Sequence, residues 1–196
     1  MTEPPHTIRA FIAIELPSEV RSEVERTQRA LKSTIPTGLI RWTPPEQIHL
    51  TLKFLGNIPA DSAPELETAL RRACTGMVPF ELCAEGLGGF PDLRRPRVLW
   101  IGVGGALDAL QQLQAAIARE TDRWGEREER AFHPHLTWGR VRTTRKRELD
   151  DLGAAIRSVF AARWGSWRVT RVDLMRSELD PDGARHCCLA TVPLAA

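Results

Sequence analysis

Apolar and polar residues alternate cleanly in several short stretches of this chain, and stretches with helical spacing lie between them. In "IRAFIAIEL" (Ile8 to Leu16), β-forming residues run up to Pro17, which predicts a strand. Ser18 is a good N-cap for the next segment, where Val20, Val24 and Leu31 recur at helical spacing. The short extended piece "LIRWTPPEQ" is broken by a proline pair, and "IHLTLKFLG" then alternates again. A regular strand there puts Ile48, Leu50, Leu52 and Phe54 on one face and His49, Thr51 and Lys53 on the other. A second helix is predicted from about Asp61, with Leu66, Ala69, Leu70 and Ala73 on one stripe. "FELCAEGLGGF" reads as another strand, ending in a Gly-rich turn.

The same order then recurs. "RVLWIGV" (Arg97 to Val103) is a strand, and Gly104-Gly105 leads into a helix carrying Leu107, Leu110, Leu113 and Ile117. "HLTWGRV" follows as a strand, then a helix with Leu149, Leu152, Ile156 and Val159. One long strand, "WRVTRVDLMRSEL", and a further one, "RHCCLATVPL", complete the pattern. From Phe11 to His49 is 49 − 11 = 38 positions, and from Leu99 to His135 is 135 − 99 = 36. Each half therefore runs strand, helix, His-Leu-Thr strand, helix, strand, as pseudo-repeats over about 8–90 and 97–180. Connections this short, with no Gly, Ser or Pro linker, predict one α+β domain over 1–196. Its two lobes would be related by a pseudo-twofold and enclose a central groove.

Composition narrows the setting. A chain of 196 residues, 42% hydrophobic and 27% charged, buries a sizeable core without staples. No apolar run reaches membrane-spanning length, and "MTEPPHTIRAFIAIELP" lacks the plan of a signal peptide, so a cytoplasmic protein is expected. Nothing in the sequence suggests an obligate oligomer, so a monomer is expected. The four cysteines show no metal-type spacing and read as small buried hydrophobes. A net charge of +2 is too slight to announce nucleic acid, and "RRPR" and "RTTRKR" read as solvated surface.

Chemistry enters with the repeated tripeptide. His49-Leu50-Thr51 and His135-Leu136-Thr137 lie 135 − 49 = 86 positions apart. Side chains two apart share a strand face, so each copy sets an imidazole beside a hydroxyl. One copy alone reads as a half-buried strand showing polar groups to water. Two copies facing one groove supply an acid and a base that titrate near neutrality, around pH 6.5, and two hydroxyl donors for an oxyanion. A phosphate suits that set. No Ser-His-Asp order, P-loop or dinucleotide fingerprint competes with it. His133 makes a His-Pro-His sequence, but no carboxylate or cysteine stands at ligand spacing, so no metal is expected. Arg140 follows the second motif closely enough to approach a phosphate, but on a regular strand it falls opposite His135 and Thr137. Phe11 likewise falls opposite Ile8, Ile12 and Ile14. A groove-facing Phe11 is a candidate for stacking on a base, and burial in the core is the alternative.

With these residues in place, the chain resembles the LigT-like RNA 2′,3′-cyclic phosphodiesterases, formerly called 2′-5′ RNA ligases, of the two-histidine phosphoesterase superfamily. The likeness runs through "RAFIAIELP", "RWTPPEQIHLTLKFLG", "GGFPDLRRPRVLWIGV" and "FHPHLTWGRV". Trp138 stands where aliphatic residues are commoner in the second motif, at a position that should point into the core. The resemblance implies that His135 accepts a proton from attacking water and His49 protonates the departing 3′ oxygen, leaving a 2′-phosphate. It implies that Thr51 and Thr137 hold phosphate oxygens, and that neither metal nor other cofactor is used. The implied partner is RNA with a 2′,3′-cyclic end, such as a tRNA fragment, and the reverse reaction is 2′-5′ ligation. A non-catalytic RNA-binding module is the rival, although mere binding needs no pair of titrating groups. A phosphodiesterase of the same superfamily acting on small cyclic phosphonucleotides or 2′-5′ oligonucleotides would share the site.

Overall fold

Pairing of the alternating stretches builds one curled antiparallel sheet, seen in a computed structural model that describes residues 6–125, 131–180 and 183–195. Part of the second pseudo-repeat, 126–130, and the first five residues lie outside them. The strands are β1 (Thr7–Glu15), β2 (Ile40–Trp42), β3 (His49–Pro59), β4 (Phe80–Phe90), β5 (Val98–Gly105), β6 (His135–Val141), β7 (Arg163–Val169), β8 (Arg171–Asp180) and β9 (Gly183–Pro193). Between them run α1 (Ser18–Lys32), α2 (Ala63–Cys74), α3 (Leu107–Glu120) and α4 (Lys146–Arg157). The expected α+β class, with two lobes of sheet flanked by helices, is what forms.

Strand order is β7-β4-β5-β6-β3-β1-β8-β9, with β2 also beside β6. The lobes are therefore β7-β4-β5-β6 and β3-β1-β8-β9, which are not contiguous halves of the chain. Strands β8 and β9 pair with the early strand β1, while β4 joins the later strands. Helices cross over as well: α1 packs on β7, whereas α2 and α3 pack on each other and under β3, β8 and β9. The helices bury most of their apolar stripes, for example Leu66, Ala69 and Leu70 of α2 at 0% exposure, although Leu107, expected on the α3 stripe, is exposed. Full burial of one such leucine stabilises by roughly 1.5–3 kcal/mol.

Several local expectations change. "WRVTRVDLMRSEL" is two strands, not one, because β7 pairs with β4 while β8 pairs with β1, and the chain changes lobe at Thr170. Ser18 is the first residue of α1 rather than its cap; Pro17 holds that place, and its carbonyl accepts from the Arg21 N–H. Of the cysteines only Cys74 is fully buried; Cys187 and Cys188 are exposed on β9, at the end of the sheet. Trp138 is fully buried, edge-on to Trp42 and Trp164.

Candidate active site

The two lobes meet where the two repeated tripeptides meet. Leu50 of β3 pairs with Leu136 of β6, and both leucines are completely buried. Their burial turns the flanking residues of each strand to the opposite face, which lines the groove. The antiparallel register, continued one residue either way, sets His49 against Thr137 and Thr51 against His135. All four side chains are half-buried. The repeat thus produces a rectangle of two imidazoles and two hydroxyls.

After each motif the strand bulges at the same place, three residues past the histidine. Pairing of β1 with β3 runs Ala13 with Thr51, then Ile12 with Lys53, which leaves Leu52 as the extra residue. Pairing of β5 with β6 runs Trp100 with Thr137, then Leu99 with Gly139, which leaves Trp138 extra. Two consecutive residues then face the core, and the alternation reverses beyond them. Lys53, expected beside His49 and Thr51, is instead buried, and its ammonium donates to the Thr121 carbonyl at 2.8 Å and hydroxyl at 3.0 Å. Phe54, expected in the core, is 57% exposed on the groove side. Arg140, expected behind the sheet, pairs with Val98 in register with Trp100 and comes round to the groove face. At Gly139 the bulge leaves no room for a side chain, since a Cβ would lie 2.7 Å from Ile40.

Neighbouring carbonyls fix both histidines. His49 Nδ1 donates to the Gln47 carbonyl at 2.8 Å, and His135 Nδ1 donates to the His133 carbonyl, also at 2.8 Å. A carbonyl only accepts, so each Nδ1 carries the hydrogen and Nε2 is the atom left to take or give a proton. Rings complete the support. Phe11 stacks on His49 with centroids 4.7 Å apart and planes 24° apart. His186, from β9, stands edgewise to both, 4.9 Å from Phe11 and 5.2 Å from His49. Around His135, Phe90 lies edge-on at 5.1 Å and Trp100 at 6.3 Å. Trp100 can lie across β4 only because Gly88 is opposite; a Cβ there would come within 2.1 Å of the indole.

Burial governs the titration. His49 is pushed down to about 4, first by desolvation and then by the adjacent His186, with a smaller push from His135 against the opposing Gln47 bond. Desolvation also lowers His135, opposed by its carbonyl bond, and lowers His186. Lowered from an ordinary value of 6.5, all three imidazoles favour the neutral form at pH 7.

Phe11, the candidate for base stacking, is 3% exposed and spends its ring on His49 and His186, so it supports the imidazole rather than offering an open face. His186, Phe54, Phe90 and Trp100 escape sequence reasoning, because contacts across strands leave no local spacing to find. Only the aromatic end of "GLGGF" hints at Phe90. Among the described residues, no cluster of three or more His, Cys, Asp or Glu side chains could hold a metal ion. The rings of His133 and His135 stand 6.2 Å apart, and no third donor joins them among the described residues.

A two-lobed sheet with one imidazole-hydroxyl pair from each lobe is the architecture of a LigT-like phosphoesterase. The chain belongs to the 2′-5′ RNA ligase superfamily, whose family model matches residues 16–181. It is 38% identical over 176 residues to the RNA 2′,3′-cyclic phosphodiesterase of Methanothermobacter thermautotrophicus, covering 90% of this chain and 93% of that protein. It is 31% identical over 178 residues to the enzyme of that name from Aquifex aeolicus, covering 90% and 92%. Among solved structures, Escherichia coli LigT in its apo form superposes with a TM-score of 0.74 at 27% identity, over 97% of this chain and 99% of that one. No helix of the described residues is long and apolar enough to cross a membrane.

Proposed function

We propose that this chain hydrolyses RNA ends carrying a 2′,3′-cyclic phosphate to 2′-phosphomonoesters, with His135 as general base and His49 as general acid. The observation that carries the reading is the pairing of Leu50 with Leu136, which brings both His-x-Thr units to one groove face. Relatives covering nine-tenths of the chain bear the name RNA 2′,3′-cyclic phosphodiesterase, which supports the substrate class.

In this scheme the phosphate sits between the imidazoles, and the Thr51 and Thr137 hydroxyls donate to its non-bridging oxygens. That arrangement stabilises charge as it develops at phosphorus. Water approaches on the side of His135, the less buried of the two, whose Nε2 takes a proton as oxygen attacks. The bond to the 3′ oxygen breaks on the side of His49, whose Nε2 delivers a proton to it. His49 must be protonated for that step, although burial holds it near 4. The bound phosphodiester brings the missing negative charge, and an anion beside an imidazole raises its pKa. Substrate therefore recruits the catalytic proton. With a 5′-hydroxyl in place of water as the attacking group, the same residues would join a cyclic end to it through a 2′-5′ phosphodiester, the 3′ oxygen again leaving with the proton from His49.

Incubation with a short RNA ending in a 2′,3′-cyclic phosphate, followed by identification of the terminal group, tests the reading. A 2′-phosphate is expected. A 3′-phosphate would overturn the assigned polarity, and no hydrolysis would overturn the function.

A further inference from the structure

The third imidazole beside the general acid, His186, takes no step in the scheme above. It stands on β9, the edge strand of its lobe, in one row with Ser177 of β8, Arg9 of β1 and Asn57 of β3. Residues directly opposite each other share a face, so this row lies on the same side as Phe11, two residues beyond Arg9. The ring centroids of Phe11, His49 and His186 are 4.7, 4.9 and 5.2 Å apart, a nearly equilateral triangle. Phe11 and His49 are stacked, whereas His186 is turned 70° from one and 73° from the other. It therefore abuts the side of the stack and stops the two rings from sliding or rotating past each other. The Gln47 carbonyl holds one edge of His49, Phe11 covers one face, and His186 braces the flank.

A phenyl ring would brace the stack equally well. An imidazole adds a place for a proton, and neither nitrogen of His186 has a hydrogen-bond partner among the described residues. Burial lowers both imidazoles, but His186 is the less buried, so a first proton settles there and opposes a second on His49. The charges around it are fixed or face elsewhere. Arg9 shares its row, and the Arg176–Glu178 ion pair at 2.8 Å lies on the other face of β8, as Arg185 does on β9. Glu15 is the register partner of His49 on β1, Cys188 shares the His186 face of β9, and His135 stands across the groove. No carboxylate stands in the row to hold a proton on His186.

We infer that His186 is a positioning residue for the general acid: its ring fixes the plane of His49, and its positive charge, when it carries one, competes with a proton on His49. This rests on the proposed mechanism and deepens it, because protonation of His49 then depends on the negative charge that the substrate itself brings. His186 acts through His49 alone and needs no contact with the reacting atoms.

Two variants separate the brace from the charge: His186→Phe keeps a ring and loses the proton site, and His186→Ala loses both. NMR titration of the His49 ring in the ligand-free protein reads the charge. In His186→Phe its midpoint should move up from about 4, because the opposing cation is gone while an apolar ring still covers the flank. Turnover reads the brace. On a 2′,3′-cyclic substrate, His186→Ala should lower kcat about tenfold through a displaced acid, and His186→Phe should recover it to within about threefold of wild type. An analogue with sulfur in place of the 3′ oxygen expels a leaving group that needs no proton, so on it the loss in His186→Ala should shrink to about twofold or less. An unmoved His49 midpoint in His186→Phe would overturn the assignment, as would full kcat in His186→Ala. Equal losses on both substrates would also overturn it, by placing the ring at the phosphate or in the fold. The titration of His186→Phe tests the assignment even where His186→Ala does not fold. It needs no turnover either, so a wild type that fails to hydrolyse the cyclic end would count against the proposed function alone.

Discussion

Acidification should destabilise this protein through His49 in particular. Its folded-state pKa of about 4 lies below the ordinary 6.5, so between those values the unfolded chain binds more protons than the native one. Stability contributed by neutral His49 is then complete above pH 6.5 and is lost as pH falls toward 4. From the two values, the loss from pH 7.5 to pH 5 is about 2 kcal/mol, approaching about 3 kcal/mol in the acid limit. For a domain of this size, 2 kcal/mol corresponds to roughly 4–8 °C in Tm. The assay is denaturant unfolding of wild type and His49→Asn at both pH values. Because His135 and His186 are present in both proteins, the double difference isolates the residue at position 49. Wild type should lose about 2 kcal/mol more than the variant. Inorganic phosphate should shrink that difference, since an anion in the groove raises the His49 pKa. Parallel pH dependences for the two proteins would refute the argument that burial keeps His49 uncharged.

Replacing Thr51 or Thr137 with Ala should lower turnover on the order of 10²–10³-fold while leaving Tm nearly unchanged, since each hydroxyl lines the groove rather than the core. Wild-type kcat in either variant would remove that threonine from the oxyanion site. His49→Ala and His135→Ala should each cripple hydrolysis. A substrate whose leaving group needs no protonation should partly rescue only His49→Ala, and equal rescue of both would break the assignment of acid and base.

Much of this protein is written in local pattern. The alternation of "IRAFIAIEL", the stripe Leu66, Ala69, Leu70 and Ala73, and the paired His-Leu-Thr units depend only on which side chains share a face. That is set by backbone period, a property of the segment itself. The burial of Trp138 follows from the same rule. Tertiary structure decided whatever depends on a partner strand. A bulge is a mismatch between two strands, so neither "HLTLKFLG" nor "HLTWGRV" reveals that Leu52 and Trp138 are extra residues. The exchange of Lys53 for Phe54, and the arrival of Arg140 on the groove face, follow from those mismatches alone. Lobe membership is likewise non-local: β7 and β8 read as one strand until their separate partners β4 and β1 divide them at Thr170. His186 shows the limit most plainly. It comes to 5.2 Å from His49 across 186 − 49 = 137 positions of sequence, through pairing of β9 with β8, β8 with β1 and β1 with β3. Each motif specifies the side chains of one wall, but the desolvation that moves His49 to about 4 belongs to the assembled sheet and exists in no segment by itself.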